Sequence, residues 1–250
     1  MQTGMFTSAN ALGAFQTSLD NTSNNLANVN TTAFKRSVVS FQDLMYAGPP
    51  NAQVGTGVKV ASVAPLGFAQ GTVVGTGRNL DVAINGKGFM LVQLPNGSIQ
   101  YTRDGALGTD ATGRLVTGAG NIVQPPIIIP PNAITTTIAS DGTVSVLTST
   151  SPNTPKVLGQ IQLASFTNQE GLMSEGGNLY SESVASGPPT VGTPGTGILG
   201  TLQSQSLEQS NVDVTSELTN LVTTQQAYTA NSKVITTTNQ MVTSALSLVT

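Results

Sequence analysis

Residues 5–29 read MFTSANALGAFQTSLDNTSNNLANV and residues 214–249 read VTSELTNLVTTQQAYTANSKVITTTNQMVTSALSLV, and the spacing of their apolar residues decides the architecture. In the first stretch Met5, Leu12, Leu19 and Leu26 recur every seventh residue, with Ser8, Phe15, Thr22 and Val29 in an interleaved column. In the second, one column is Val214, Leu221, Tyr228, Ile235, Val242 and Val249; the other is Leu218, Gln225, Ser232, Asn239 and Leu246. These are the a and d spacings of paired helices. The middle of the second C-terminal column is polar, so a partner must supply hydrogen bonds there, which favours one register over generic stickiness. Pattern alone leaves two readings open: amphipathic helices packed on their own domain, or helices that pair at the chain's ends and with other copies. Thr236-Thr237-Thr238 is a poor intrinsic helix former, so the last helix needs neighbours.

Between the helices, from about Ser37 to Leu202, helical periodicity gives way to turn punctuation: Gly48-Pro49-Pro50, Pro95-Asn96-Gly97, Ser140-Asp141-Gly142. This predicts β-structure. The clearest hairpin pairs Phe89 to Leu94 with Ser98 to Thr102 across Asn96-Gly97, and a second is expected around Thr109 to Arg114. Residues 187–200, loaded with Gly and Pro, are expected to return the chain to the last helix without regular structure. The fold class is therefore α+β, with N- and C-terminal coiled-coil-like helices brought together around a mainly β middle. The expected divisions are a helical segment 1–36 packing with 206–250, a linker or extended β segment 37–65, a β-rich domain 66–205 and a C-terminal helix 206–250.

Composition narrows the function. Only 8% of residues are charged, against about 25% in an average soluble domain. Neutral polar runs such as Asn21 to Asn25 and Thr236 to Gln240 replace charge. A net charge of −3 offers no footprint for nucleic acid. The chain has no His and no Cys, which removes imidazole chemistry, thiol nucleophiles, disulfides and the usual zinc ligands. The first ten residues carry no basic or apolar region of a cleaved leader, and no stretch is long and apolar enough to span a membrane. Gly pairs at Gly55/Gly57, Gly75/Gly77, Gly86/Gly88 and Gly195/Gly197 open no helix after a strand, so they read as turns and not as a dinucleotide fingerprint. The carboxylates Asp104, Asp110, Asp141, Glu208 and Asp213 read as turn and cap residues, with Asp213, Ser210 or Asn211 capping the last helix. No catalytic, cofactor or metal site is expected, and a metal-free hydrolase has no candidate centre.

Three stretches carry a resemblance. Asn24-Asn25-Leu26-Ala27-Asn28-Val29-Asn30-Thr31-Thr32-Ala33-Phe34-Lys35-Arg36 resembles the N-terminal signature of the bacterial flagellar rod and hook axial protein family. Leu207-Glu208-Gln209-Ser210-Asn211-Val212-Asp213-Val214, followed by Glu217, Gln225, Ala227-Tyr228, Asn231-Ser232 and Ile235, is similar to its C-terminal signature. Leu80 to Phe89 and Tyr101 to Gly105 look like its central domain. Within the family, Leu158 to Ile161, Phe166, Gly171-Leu172, Gly176 and Leu179-Tyr180 are most similar to the distal rod branch, with proximal rod and hook subunits as the nearby alternatives. Ala33 stands where the family usually has Gly, Gln226 where it has Arg, and Leu218 where Met is common.

The resemblance implies a structural subunit of the basal-body rod. Terminal helices would build an inner tube and β domains an outer layer, in a self-assembling helical shaft that transmits torque and encloses an export channel. It further implies periplasmic residence in the flagellar basal body, export without a cleaved leader, and contacts with other copies and with other rod, hook and ring proteins. The assembly interface is expected at Leu12, Phe15, Leu19, Asn24, Asn25, Leu26, Asn28, Phe34, Leu218, Leu221, Gln225, Tyr228, Ile235, Asn239 and Val242. An adhesin or phage fibre module would share the composition but leaves the Asn24–Arg36 motif unexplained.

Overall fold

A computed structural model of the chain describes residues 2–46, 54–65, 68–149 and 151–247. The Gly48-Pro49-Pro50 turn and Val249 lie outside the described residues. The chain divides into two compact units: one takes residues 1–29, 36–66 and 212–250, the other 30–35 and 67–211.

The first unit contains helix α1 (Gln2–Ala27), an antiparallel hairpin of strands β1 (Ser37–Tyr46) and β2 (Val54–Pro65), and helix α2 (Val214–Ser247). Within 37–65, expected as a linker or extended β segment, the described residues 37–46 and 54–65 are the two strands of this hairpin. Its register slips between Ser40/Phe41 and Leu44/Met45, the mark of bulges that bend a strand. Both α2 and the hairpin pack on α1, and the contact is close. A Cβ on Gly57, whose φ is +110°, would meet the Thr7 carbonyl oxygen at 3.0 Å.

Small or polar residues make that approach possible: the buried positions of α1 are Ser8, Ala11, Ala14, Thr22 and Asn25. The larger Leu12, Phe15, Leu19 and Leu26 are half-buried along the flanks, with Phe15 meeting Phe41 edge-on at 6.2 Å between ring centroids. Met5 and Phe6 are exposed.

Helix α2 begins where Asp213 accepts a hydrogen bond from the Ser216 N–H at 2.7 Å, an N-cap that supplies an acceptor for an otherwise orphaned donor. That bond, chiefly, holds the Asp213 carboxyl below its ordinary range. The buried and half-buried positions after the cap are Glu217, Leu221, Thr224, Ala227, Tyr228, Asn231, Ser232, Ile235 and Thr238; among them Glu217, Leu221, Thr224, Tyr228, Asn231, Ile235 and Thr238 step by four and three residues as a heptad row should. Of the expected column Val214, Leu221, Tyr228, Ile235, Val242 and Val249, the middle three lie in this row, while Val214 and Val242 are exposed. The second is corrected by one residue: Glu217, Thr224, Asn231 and Thr238 take the place expected for Leu218, Gln225, Ser232, Asn239 and Leu246. Of these five only Ser232 is half-buried; the others are exposed.

The physical reason is local satisfaction of polar groups. Asn231 donates to the Ala227 carbonyl at 3.0 Å and Thr238 to the Val234 carbonyl at 2.7 Å, so these side chains enter the seam without needing a partner across it. Glu217 finds its partners in Asn25 and Arg36. Because Asn25 lies at the end of α1 and Glu217 at the start of α2, the burial that continues to Thr238 requires α2 to run back along α1, antiparallel to it.

Among its described residues, the regular structure of the second unit is β apart from one short 3₁₀ turn at Gln169–Gly171. Its largest sheet orders the strands Met173–Gly176, Leu179–Ser181, Ile99–Thr102, Phe89–Gln93, Ile122–Val123, Leu115–Thr117 and Leu107–Thr109, with Leu163–Ser165 also pairing Phe89–Gln93. A three-stranded sheet, Ala133–Ile138, Thr143–Thr148 and Ser151–Gln160, completes one core with it. The two expected hairpins are present. In the first, Leu94 and Ser98 close a loop with Gly97 at φ +86°, where glycine alone is unstrained. Residues 187–200 hold one short strand, Thr190–Gly192, which pairs with Leu163–Ser165, where none was expected.

Two apolar clusters fill this unit. An aliphatic one gathers Val82, Ile84, Met90, Leu115, Val144 and Leu163 with their neighbours. The other is aromatic: Phe68, Phe89, Tyr101, Phe166 and Tyr180 pack edge to face with centroids 4.8 to 5.9 Å apart, a geometry the ring quadrupoles favour. Burial there pushes the Tyr180 hydroxyl up to about 12.

Candidate assembly interface

The two ends of the chain meet inside each unit, and in each a carboxylate of the C-terminal segment takes a basic residue of the N-terminal one. In the β unit the turn-bearing residues 30–35 lie beside 208–211: the Ala33 N–H donates to the Glu208 carbonyl at 2.8 Å, and the Asn211 N–H to the Phe34 carbonyl at 3.4 Å. Under this contact Glu208 is 1% exposed. Its Oε1 accepts from Lys35 Nζ and from the Gly71 N–H at 2.8 Å, and its Oε2 accepts from Arg103 Nε at 2.9 Å.

Arg103, also buried, spends its remaining donors on the carbonyls of Gly88 at 2.9 Å, Gly86 at 3.0 Å and Ile84 at 3.4 Å. Lys35 gives a second bond to the Ala69 carbonyl at 2.9 Å. Burial is the main influence on the Lys35 amine and pulls it below its ordinary value, against the opposing pull of Glu208. Each nitrogen and each carboxylate oxygen of this triad thus has at least one hydrogen-bond partner, which such a buried set requires.

In the helical unit the next residue, Arg36, brings its Nε to 2.6 Å from Oε1 of Glu217, which is 1% exposed. Asn25, equally buried, donates to Glu217 Oε2 at 3.5 Å and clasps the backbone of Ser37 in both directions, donating to its carbonyl at 2.8 Å and accepting from its N–H at 3.0 Å. Asn21 reinforces the same carbonyl at 2.8 Å. These links were not legible as partners in the sequence, although Lys35, Arg36, Glu208 and Glu217 all fall inside its quoted motifs.

The positions expected to form an assembly interface divide by exposure. Asn25 is buried. Leu12, Phe15, Leu19, Leu26, Asn28, Phe34, Leu221, Tyr228 and Ile235 are half-buried, and Phe34 belongs to the β unit. Asn24, Leu218, Gln225, Asn239 and Val242 are exposed. Around the exposed group α2 presents an outward apolar ridge, Val214, Leu218 and Val222, each more than 40% exposed, with Met241, Val242 and Leu246 further along. Together the two helices hold three charged residues, Asp20, Glu217 and Lys233. Among the described residues no helix is long and apolar enough to cross a membrane, and no cluster of acidic side chains could hold a metal ion.

Comparison with known proteins accounts for all three motif regions. Residues 5–35 match the family described as flagella basal body rod protein, 83–146 the flagellar hook protein FlgE/F/G D1 domain, and 203–248 the flagellar basal body rod FlgEFG protein C-terminal region. The flagellar basal-body rod protein FlgG of Buchnera aphidicola subsp. Schizaphis graminum is 45% identical over 95% of this chain and 96% of its own length. That of Caulobacter vibrioides is 45% identical over 94% and 95%, and that of Borreliella burgdorferi 40% identical over 96% of both. With its terminal helices, its β unit and every signature in place along nearly its whole length, the chain belongs to the flagellar basal-body rod protein family.

Proposed function

We propose that this structural rod subunit assembles, through its two terminal helices, into a helical tube in the periplasmic part of the flagellar basal body. There it transmits torque and encloses the export channel, alongside other rod, hook and ring proteins, and it acts without a cofactor and without catalysis. The observation that carries the reading is the outward ridge Val214, Leu218 and Val222 on a helix almost free of charge. A subunit that lives among copies of itself gains by this composition, since like charges stacked at short intervals repel while apolar and neutral polar groups tolerate their own copies. A ridge that meets a different surface of the next copy makes a heterologous, non-closing contact, and such contacts generate a helical filament. Coiled-coil packing of α1 and α2 against neighbouring helix pairs belongs to the same proposal.

Leu218→Asp tests it. The side chain is 46% exposed, so the subunit should keep its helical and β circular dichroism, while a carboxylate in an apolar contact between copies should abolish long assemblies in sedimentation and electron microscopy. Filaments as long as those of the unmodified protein would place the ridge on a solvated surface and refute the reading.

A further inference from the structure

The α1–α2 seam has a repeat that does not by itself define where α2 sits. Its polar row reads Glu217, Thr224, Asn231, Thr238 and its apolar row Leu221, Tyr228, Ile235. Slide α2 by seven residues, so that Thr224 takes the place of Glu217, and every apolar position is again filled by an apolar residue, while the polar ones receive Thr224, Asn231 and Thr238 and the last takes the small Ala245. Asn231 and Thr238 bond to their own helix, so they lose nothing in the move. Shape and hydrophobicity therefore discriminate poorly between the two registers. Glu217 breaks the degeneracy. It is the one charged residue among the inward-facing positions described for either helix. Its carboxylate meets Arg36 at 2.6 Å and Asn25 at 3.5 Å, and Asn25 is itself held by the backbone of Ser37. After a seven-residue slip Arg36 and Asn25 would face a threonine.

We infer that Glu217 is a positioning residue whose pairing with Arg36 and Asn25 selects the register of α2 against α1, in the way a single buried polar residue sets register in coiled coils. The role is distinct from filament assembly and holds for one chain. Because the natural sequence has no cysteine, Ser23→Cys with Thr236→Cys, both at exposed positions, gives two unique sites for spin labels on the full-length chain, measured dilute so that distances within one subunit dominate. A seven-residue slip displaces α2 by about 10 Å along its axis, at 1.5 Å per residue, and brings the labels closer.

The expected result is a single distance in the parent and an added shorter one, by several ångströms and up to about 10 Å, when Glu217→Gln or Glu217→Leu is introduced. Leucine restores apolar volume, so a second distance in that variant reports lost selection and not merely lost packing. Retention of the single parental distance in both variants overturns the inference. Loss of helical circular dichroism without a second distance overturns it too, since Glu217 would then only stabilise.

Discussion

Removing the Glu208 carboxylate is the most demanding test of the β unit. Glu208→Gln keeps the side-chain shape but withdraws the negative charge from two buried cations, Lys35 and Arg103, and sets its amide –NH2 against donors, either Arg103 or both Lys35 and the Gly71 N–H. Breaking a buried pair from one side costs about 3–5 kcal/mol. Two features hold the cost within that range: Arg103 keeps its three carbonyl partners, and Lys35 keeps Ala69 and already sits below its ordinary pKa through burial. Even so, the loss is a large part of the about 5–15 kcal/mol that a domain has.

The assay is equilibrium urea unfolding followed by β circular dichroism and tyrosine fluorescence, the chain having no Trp. The midpoint should fall steeply with an unchanged slope. The triple replacement Lys35→Met, Glu208→Leu, Arg103→Met should recover much of the loss, because an apolar cluster needs no compensating charge. A Glu208→Gln protein within about 1 kcal/mol of the parent would refute the account of the triad as a matched buried set.

Further expectations concern the turns and caps. Ala33 is fully buried at φ +57°, a conformation that costs an L-residue about 1–2 kcal/mol. Ala33→Gly should therefore stay within about 1 kcal/mol of the parent in thermal melts, relieved strain offsetting lost chain stiffness, while Ala33→Val should lose about 3 kcal/mol or more through β-branching and overpacking. A neutral valine variant would contradict the backbone geometry. Asp213, whose folded pKa lies below its ordinary 3.8, contributes stability that is present above pH 3.8 and is lost as pH falls through the folded value. Asp213→Ala should thus lower the helical signal at pH 7 and reduce its drop on acidification below pH 3.8, and an undiminished acid transition would argue against the cap. Asp104 has the opposite sign, raised chiefly by burial: its ionisation costs stability as pH rises from 3.8 through the folded value, so Asp104→Asn should be at least as stable as the parent at pH 7 in urea titrations.

Elements governed by local chemistry were legible in the sequence. Asn96-Gly97 announces its hairpin because the turn needs a positive φ that Gly97 supplies, and Asp213 announces a helix start because its carboxylate is spaced to reach the Ser216 N–H. The heptad columns were half legible. Leu221, Tyr228 and Ile235 face α1 as their apolarity suggests, but Glu217 displaces Leu218 from the companion row because its partners, Asn25 and Arg36, lie 192 and 181 residues away along the chain. Hydrophobic spacing cannot register a buried carboxylate whose compensation is that remote. The triad escaped for the same reason: Lys35, Arg103 and Glu208 are separated by dozens of residues, and Glu208 alone reads as a turn carboxylate. The unusual Ala33 was visible, and its left-handed backbone supplies the reason glycine suits that position.

The partition of the chain also governs how it can be cut apart. Lys35 and Arg36 are neighbours in sequence yet belong to different units, and residues 30–35 are a strip of the β unit embedded between two pieces of the helical one. A fragment beginning at residue 67 would lack Ala33, Phe34 and Lys35, removing the backbone partners they give the Glu208 carbonyl and the Asn211 N–H and leaving Arg103 as the one cation on the Glu208 carboxylate. The smallest dissectible piece is therefore not the contiguous middle: it must begin no later than residue 30, carry residues 36–66 of the helical unit as a passenger, and run through residue 211.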